Sequence, residues 1–398
     1  MKHLLIILEG MSDIPQPGFD GKTPLAAARV PQLSALAASG ACGWVRTTRD
    51  LRVFRPTAML GAMLGIPPDE ARTLHRAPFE ALAAGVPVLL NERIFRASFV
   101  TFRDDVLAEA SVALSLDETV ALCEALEPAA RNHHVRIDPL RPGQLLALFR
   151  DGASAADAGV PPHAVEGRPW APFLPKGDDN KSLRDFLSEA NEILARHPVN
   201  EVRLDLGENP ANGLWLWGGG GEPAVSAPFG GRALKACMIT NSLMARGMAR
   251  LCRMDLAGFR DPAAPAGSGT ALDVASTVTA LRDHDLAVVY IAARREIGRH
   301  GNPRDKALAL QAIDFHVLAP LCEIAAAHRP CRILVTTDAS IDSATQQAGD
   351  GILPFALTGD GVIPDDCPRW DEASCQGGRL GEVDPGEIFE LLLLGGGK

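Results

Sequence analysis

Three short apolar runs, HLLIILEG (3–10), LAVVYIAA (286–293) and CRILVTTDA (331–339), limit the folds open to this chain more than any other feature. Each is rich in β-favouring residues and closes on polar or charged side chains. Uninterrupted apolar strands are buried on both faces, as parallel strands are in an α/β sheet. In such sheets the residues just past the carboxyl ends of the strands face the ligand. Between the last two runs lies RDKALALQAIDFHVLAPLCEIAAAH (304–328), whose apolar positions recur at helical spacing, so strand, helix and strand make a βαβ unit. A second helix is expected over PLAAARVPQLSALAASG (24–40), with Pro24 in its first turn and Gly40 past its end.

A chain of 398 residues is long for one compact core and points to two domains. From about residue 80 to 230 prolines and loops are frequent, and ERIFRASFVTF (92–102) and EVRLDL (201–206) read as short strands. The expected organisation is a discontinuous core, 1–79 and 230–398, with an inserted cap over 80–229. DGASAADAGVPPHAVEGRPW (151–170) reads as loop. WGGGGEP (217–223) lacks a following helix start and reads as a turn, not a phosphate cradle.

Charge and cysteine usage exclude several classes. Lys and Arg total 39 against 49 for Asp and Glu, and a net charge of −10 argues against a nucleic-acid partner. The eight cysteines show no CxxC pair and no metal-type spacing, which suits a reducing compartment. MKHLLIILEGMSD at the start lacks the length and cleavage site of a signal peptide. No apolar stretch approaches the roughly 20 residues that cross a bilayer, so a cytoplasmic protein without a membrane partner is expected.

GKTPLAAARVPQLSALAASGACG (21–43), RAPFEALAAGV (76–86), HPVNEVRLDLGENPANGLWLWGGG (197–220), KACMITNSLMARGMARLCRMDL (235–256) and WDEASCQGGRLGEVDPGEIFELLLL (370–394) together resemble the archaeal-type, cofactor-independent phosphoglycerate mutases of the alkaline phosphatase superfamily. The resemblance runs nearly end to end. It implies an alkaline-phosphatase-like, doubly wound α/β core sheet with an inserted α+β cap. It also implies two divalent metals, usually manganese, beside a serine nucleophile that becomes phosphorylated. Metals would lower the pKa of the serine and balance the charge of the transferring group.

The motif positions depart from the family where its chemistry sits. The first strand of the family ends in Asp-Gly, and here Glu9 stands at the aspartate. The nucleophile segment, similar to P-G-S-D-T-A in the family, reads FRPTAMLGAMLGI (54–66), with Thr57 as its one hydroxyl and a register open between Pro56 and Thr57. The family motif H-V-K-A-x-D-E-A-x-H-D-G falls on YIAARREIGRHG (290–301), and registering on Glu296, Gly298 and Gly301 puts Arg295 at a metal aspartate and Arg299 at a metal histidine. The lysine of the family becomes Ala292, and His300 is one position off. At the third strand TTDA keeps Asp338 and puts Ala339 at a ligand histidine, and the last histidine falls near Gln347.

Glu9 and Asp338 cannot supply two sites that each need several converging donors. Arginine is a permanent cation that pairs carboxylates bidentately, so Arg295, Arg299 or both are candidates to balance the charge that metals would otherwise balance. Arg96, Arg203 and Lys235 are the candidates for holding a substrate anion. One reading is a homologue that has lost the two-metal centre and serves as a binding, regulatory or structural protein. It expects no cofactor, and as partner a small phosphorylated or carboxylate ligand or another protein. The alternative is an active phosphoryl-transfer enzyme, either interconverting 3-phosphoglycerate and 2-phosphoglycerate or using Thr57 and arginines, with Mn or Zn.

Overall fold

The computed structural model describes residues 1–47, 55–150, 159–257, 274–292, 302–345 and 347–396. The chain divides into two compact units, one formed by 1–74 with 225–398 and the other by 75–224.

In the first unit the three apolar runs are neighbouring strands. Lys2–Leu8 pairs in parallel with Leu286–Ile291 on one side and with Cys331–Thr337 on the other. The full sheet runs Gly381–Val383, Ala41–Arg46, Ile352–Gly359, Cys331–Thr337, Lys2–Leu8, Leu286–Ile291, Ala236–Thr240, Asp255–Ala257. Ile352–Gly359 is antiparallel to both neighbours and the other pairings are parallel. Leu4, Ile6, Val289 and Val335 are fully buried, as strands covered by helices on both faces must be.

The expected βαβ helix forms, with a change of pitch. Pro303–Ile313 is α-helical, Asp314–Leu318 makes a π turn, and Ala319–Ala327 resumes the α-helix. By length and composition this run of 25 residues would suffice to cross a bilayer, contrary to the sequence expectation. Its Leu310, Ile313, Val317 and Leu321 belong to the main apolar cluster of the unit, which accounts for its hydropathy.

The helix expected over 24–40 is two helices, Pro24–Ala27 and Pro31–Ala38. Pro31 disfavours helical geometry at the residue before it, and Val30 takes φ −124 and ψ 73. Val30 offers no capping side chain. The carboxylate of Asp314 caps the second helix from outside, accepting from the N–H groups of Gln32 at 3.0 Å and Leu33 at 2.8 Å. Burial pushes the Asp314 carboxyl above its ordinary range despite those two donors.

The second unit is α+β. Glu92–Arg103 pairs antiparallel with Val106–Glu109, Gln144–Arg150 and Gly213–Gly220, and Val135–Arg141 extends the sheet beyond Gln144–Arg150. Helices Leu116–Asn132 and Lys181–Ala195 supply Leu122, Leu126, Phe186 and Leu187 to its core. The first starts at a capping box, in which the Ser115 hydroxyl accepts from Glu118 N–H and the Glu118 carboxylate accepts from Ser115 N–H.

Two local expectations are corrected in this unit. EVRLDL is not a strand but lies in helix Pro198–Asp205 and the residue after it. Proline at N1 and the His197 ring accepting from Val199 N–H start the helix. The alternation of apolar residues was misleading, because Val202, Leu204 and Leu206 are exposed while Asn200 and Arg203 are buried. WGGG of 217–223 is strand, not turn. A Cβ on Gly219 would stand 2.2 Å from the Phe95 ring, so the glycine there lets the strand lie on an aromatic side chain.

Candidate functional site

The carboxyl ends of Lys2–Leu8 and Cys331–Thr337 lead into turns that are tied together. Thr337 Oγ1 donates to Leu8 O at 2.6 Å and accepts from Met11 N–H at 2.9 Å. Ser12 and Ser340 pair as a parallel bridge, and Ile341 N–H donates to Ser12 O at 2.9 Å. Glu9, 6% exposed, donates its N–H to Ile291 O. Gly10, at φ +67, turns the chain so that its N–H reaches Asp338 Oδ1 at 2.9 Å.

Asp338 is fully buried, and Tyr290 Oη donates to its Oδ2 at 2.7 Å. Each carboxylate oxygen thus accepts from a protein donor. Counting from Ala292 in the family motif, Tyr290 falls where that motif begins with histidine. The chain contains one tyrosine, set inside an apolar strand, and that was the available signal for it.

A second buried carboxylate lies close in the chain to the first strand. Asp13 Oδ2 faces Lys306 Nζ at 3.0 Å, with Lys306 only 1% exposed. The ammonium also donates to Ser12 O at 2.7 Å and Ile341 O at 2.8 Å, which uses all three of its protons. Asp13 further accepts from Ile14 N–H, Gln16 Nε2 and Ser343 N–H. Glu372 accepts from Thr23 Oγ1 at 2.6 Å, and from Ser12 Oγ and Asp13 N–H at 3.1 Å. Burial pushes the Glu372 carboxyl above its ordinary range. Sequence reasoning singled out neither Asp13 nor Lys306, since a pair 293 positions apart leaves no local pattern.

The other candidate residues belong to both units. Ala339 is half-buried and Gln347 is exposed, its backbone oxygen accepting from Asp342 N–H at 2.9 Å. Thr57 lies in the first turn of helix Pro56–Met63, 2% exposed, with its hydroxyl donating to Leu74 O at 2.6 Å. Arg96 donates to Glu80 at 2.8 Å and lies 4.8 Å from the Trp217 ring centre. Arg203, also buried, pairs with Glu118 at 2.7 Å and Glu208 at 3.1 Å. Lys235 is exposed at the start of Ala236–Thr240. Arg295 and Arg299, with Glu296 and His300, lie outside the described residues.

A family model described as 2,3-bisphosphoglycerate-independent phosphoglycerate mutase matches residues 37–200. A protein of that name from Methanothrix thermoacetophila is 30% identical over 405 residues, covering 99% of this chain and 100% of its own. The chain belongs to the 2,3-bisphosphoglycerate-independent phosphoglycerate mutase family. The namesake from Methanosarcina mazei is 27% identical over 397 residues, covering 99% of this chain and 100% of its own. A cofactor-independent phosphoglycerate mutase structure from Thermoplasma acidophilum aligns at a TM-score of 0.57 with 26% identity, over 100% of both chains. A solved Pyrococcus horikoshii protein shares the fold at a TM-score of 0.72 with 22% identity, over 100% of this chain and 98% of its own.

The two ions implied by resemblance to the phosphoglycerate mutase family do not fit the described donors. Glu9 and Asp338 are the carboxylates at its ligand positions, and Ala339 has no donor. Asp13 is matched by Lys306. Among the described residues, the group of three His, Cys, Asp or Glu side chains whose ligand atoms converge is made of cysteines and includes neither Glu9 nor Asp338.

Proposed function

We propose that this member of the phosphoglycerate mutase family has given up the two-metal phosphoryl-transfer centre and acts as a non-catalytic binding, regulatory or structural protein. The observation that supports this most is the set of side chains at the family's ligand positions, where Arg295, Arg299 and Ala339 offer no lone pair to an ion. Asp338 accepts a hydrogen bond on each oxygen and keeps lone pairs, yet one such carboxylate with Glu9 cannot fill two metal sites. The nucleophile position adds to it. Thr57 is buried, and its hydroxyl proton goes to the Leu74 carbonyl and not to a base.

On this reading Arg295 or Arg299 supplies the positive charge that ions would bring to Glu9 and Asp338. The partner is a small phosphorylated or carboxylate ligand, or another protein. Arg96 and Arg203 already neutralise Glu80 and Glu118, which makes them supports of the inserted unit before they are anion binders.

The test is elemental analysis of protein purified with added manganese, beside an assay interconverting 3-phosphoglycerate and 2-phosphoglycerate on the same sample. The expected result is no retained manganese and no turnover. About two equivalents of manganese with turnover would overturn the reading and leave an ordinary mutase.

A further inference from the structure

Three cysteines that are far apart in sequence meet inside the first unit. Cys42 is on the strand Ala41–Arg46, Cys375 on the helix Glu372–Gln376, and Cys367 on the segment before that helix. Their Sγ atoms all lie within 4.8 Å of one another, and none of the three residues is more than 4% exposed. All three are reduced.

The backbone around them is fixed. The Asp365 carboxylate accepts from Cys42 N–H at 2.8 Å, Cys367 N–H at 3.2 Å and Arg379 N–H at 2.8 Å, so one side chain ties two of the three cysteines. Asp371 caps the short helix through Ser374 N–H at 2.8 Å and so holds Cys375. Gly378 lies against Cys42, where a Cβ would stand 2.3 Å from its carbonyl oxygen. Leu380 N–H closes the contact by donating to that oxygen at 2.9 Å.

We propose that Cys42, Cys367 and Cys375 form a binding site for a soft, three-coordinate cation, Cu(I). Metal–sulfur bonds of about 2.3 Å place three sulfurs around one ion about 4 Å apart, so the cluster needs sulfur shifts of less than about 1 Å. Such shifts lie within the freedom of χ1 on a fixed backbone. Thiolate sulfur selects Cu(I) and Zn(II) over hard ions. Coordination number separates those two. Structural Zn(II) takes four ligands, whereas among the described residues three donors converge, in surroundings closed to solvent. Each thiol that becomes a ligand releases its proton to solvent on binding. The site uses neither Glu9 nor Asp338, so it stands or falls separately from the fate of the family's two-metal centre.

The experiment titrates anaerobic, fully reduced protein with Cu(I) against a Cu(I)-specific chelator, with Zn(II) in a parallel series. The wild type and Cys322→Ser, a thiol outside the cluster, are expected to keep one equivalent of copper. Cys367→Ser and Cys42→Ser are expected to lose it, with circular dichroism melts confirming that they fold. Should either serine variant unfold, the other alone carries the comparison, and Cys375→Ala serves if both do. The proposal is overturned if the chelator strips the wild type, if Cys367→Ser keeps its equivalent, or if the site holds Zn(II) and releases Cu(I). A disulfide between two of the three in freshly purified protein, located by peptide mapping of the alkylated, denatured chain, would equally overturn it.

Discussion

Asp13 and Asp338 follow adjacent parallel strands, and both are almost or wholly removed from solvent, yet their described partners differ in kind. Asp13 is matched by an ammonium, with an amide side chain and backbone N–H groups filling the rest of its oxygens. Asp338 receives a backbone N–H and a phenol. A carboxylate moved out of water loses several kcal/mol of solvation that neutral dipoles recover only in part. Asp13 therefore belongs to the scaffold, with its charge cancelled on the spot. The described partners of Asp338 are neutral donors.

Breaking the Asp13 side of this comparison gives the largest effect. Lys306→Met leaves a buried carboxylate without its cation and is expected to cost about 3–5 kcal/mol. A urea titration reads it, and Asp13→Asn in the same chain should recover part of the loss, because the double variant buries no charge. A single-variant loss under about 1 kcal/mol would mean that Asp13 gains its solvation elsewhere.

The Asp338 side is sharpened by its proposed counter-charge. Arg295→Met and Arg299→Met are each combined with Asp338→Asn in a double-mutant cycle of stabilities. Coupling of about 2 kcal/mol is expected for whichever arginine is the proposed counter-charge. Additive effects for both arginines would remove them from the site. Tyr290→Phe tests the phenol and is expected to cost about 1.5 kcal/mol, the loss of one hydrogen bond to a carboxylate. That loss should shrink when Asp338 is already asparagine.

The core strands and the βαβ unit were legible in the sequence because burial on both faces writes an unbroken apolar run. Glu9 and Asp338 also stand where such runs stop, but it is the resemblance to the family that singles them out. What stayed hidden was either long-range or a local pattern with two solutions. Nothing near Asp13 announces Lys306, and nothing near Cys42 announces Cys367 or Cys375. In 201–206 alternation suggested a strand, but Pro198 and the His197 cap start a helix whose buried residues are polar. The break at Val30 is written in Pro31, although the apolar spacing continues through it.

The smallest expected effect concerns Glu372, whose oxygens accept from Thr23 and Ser12, on either side of Asp13 in sequence. Burial raises its folded pKa above the ordinary value of 4.5. Between the unfolded and folded values the native state binds more protons than the unfolded chain. Stability from this group is therefore present at low pH and lost as pH rises through the folded value. Glu372→Gln removes that titration, so the stability difference between variant and wild type should move in favour of the variant from about pH 5 to pH 7. Paired urea midpoints across that range measure it. A difference that stays constant with pH would show that the hydrogen bonds from Thr23, Ser12 and Asp13 hold the carboxylate as well as water does.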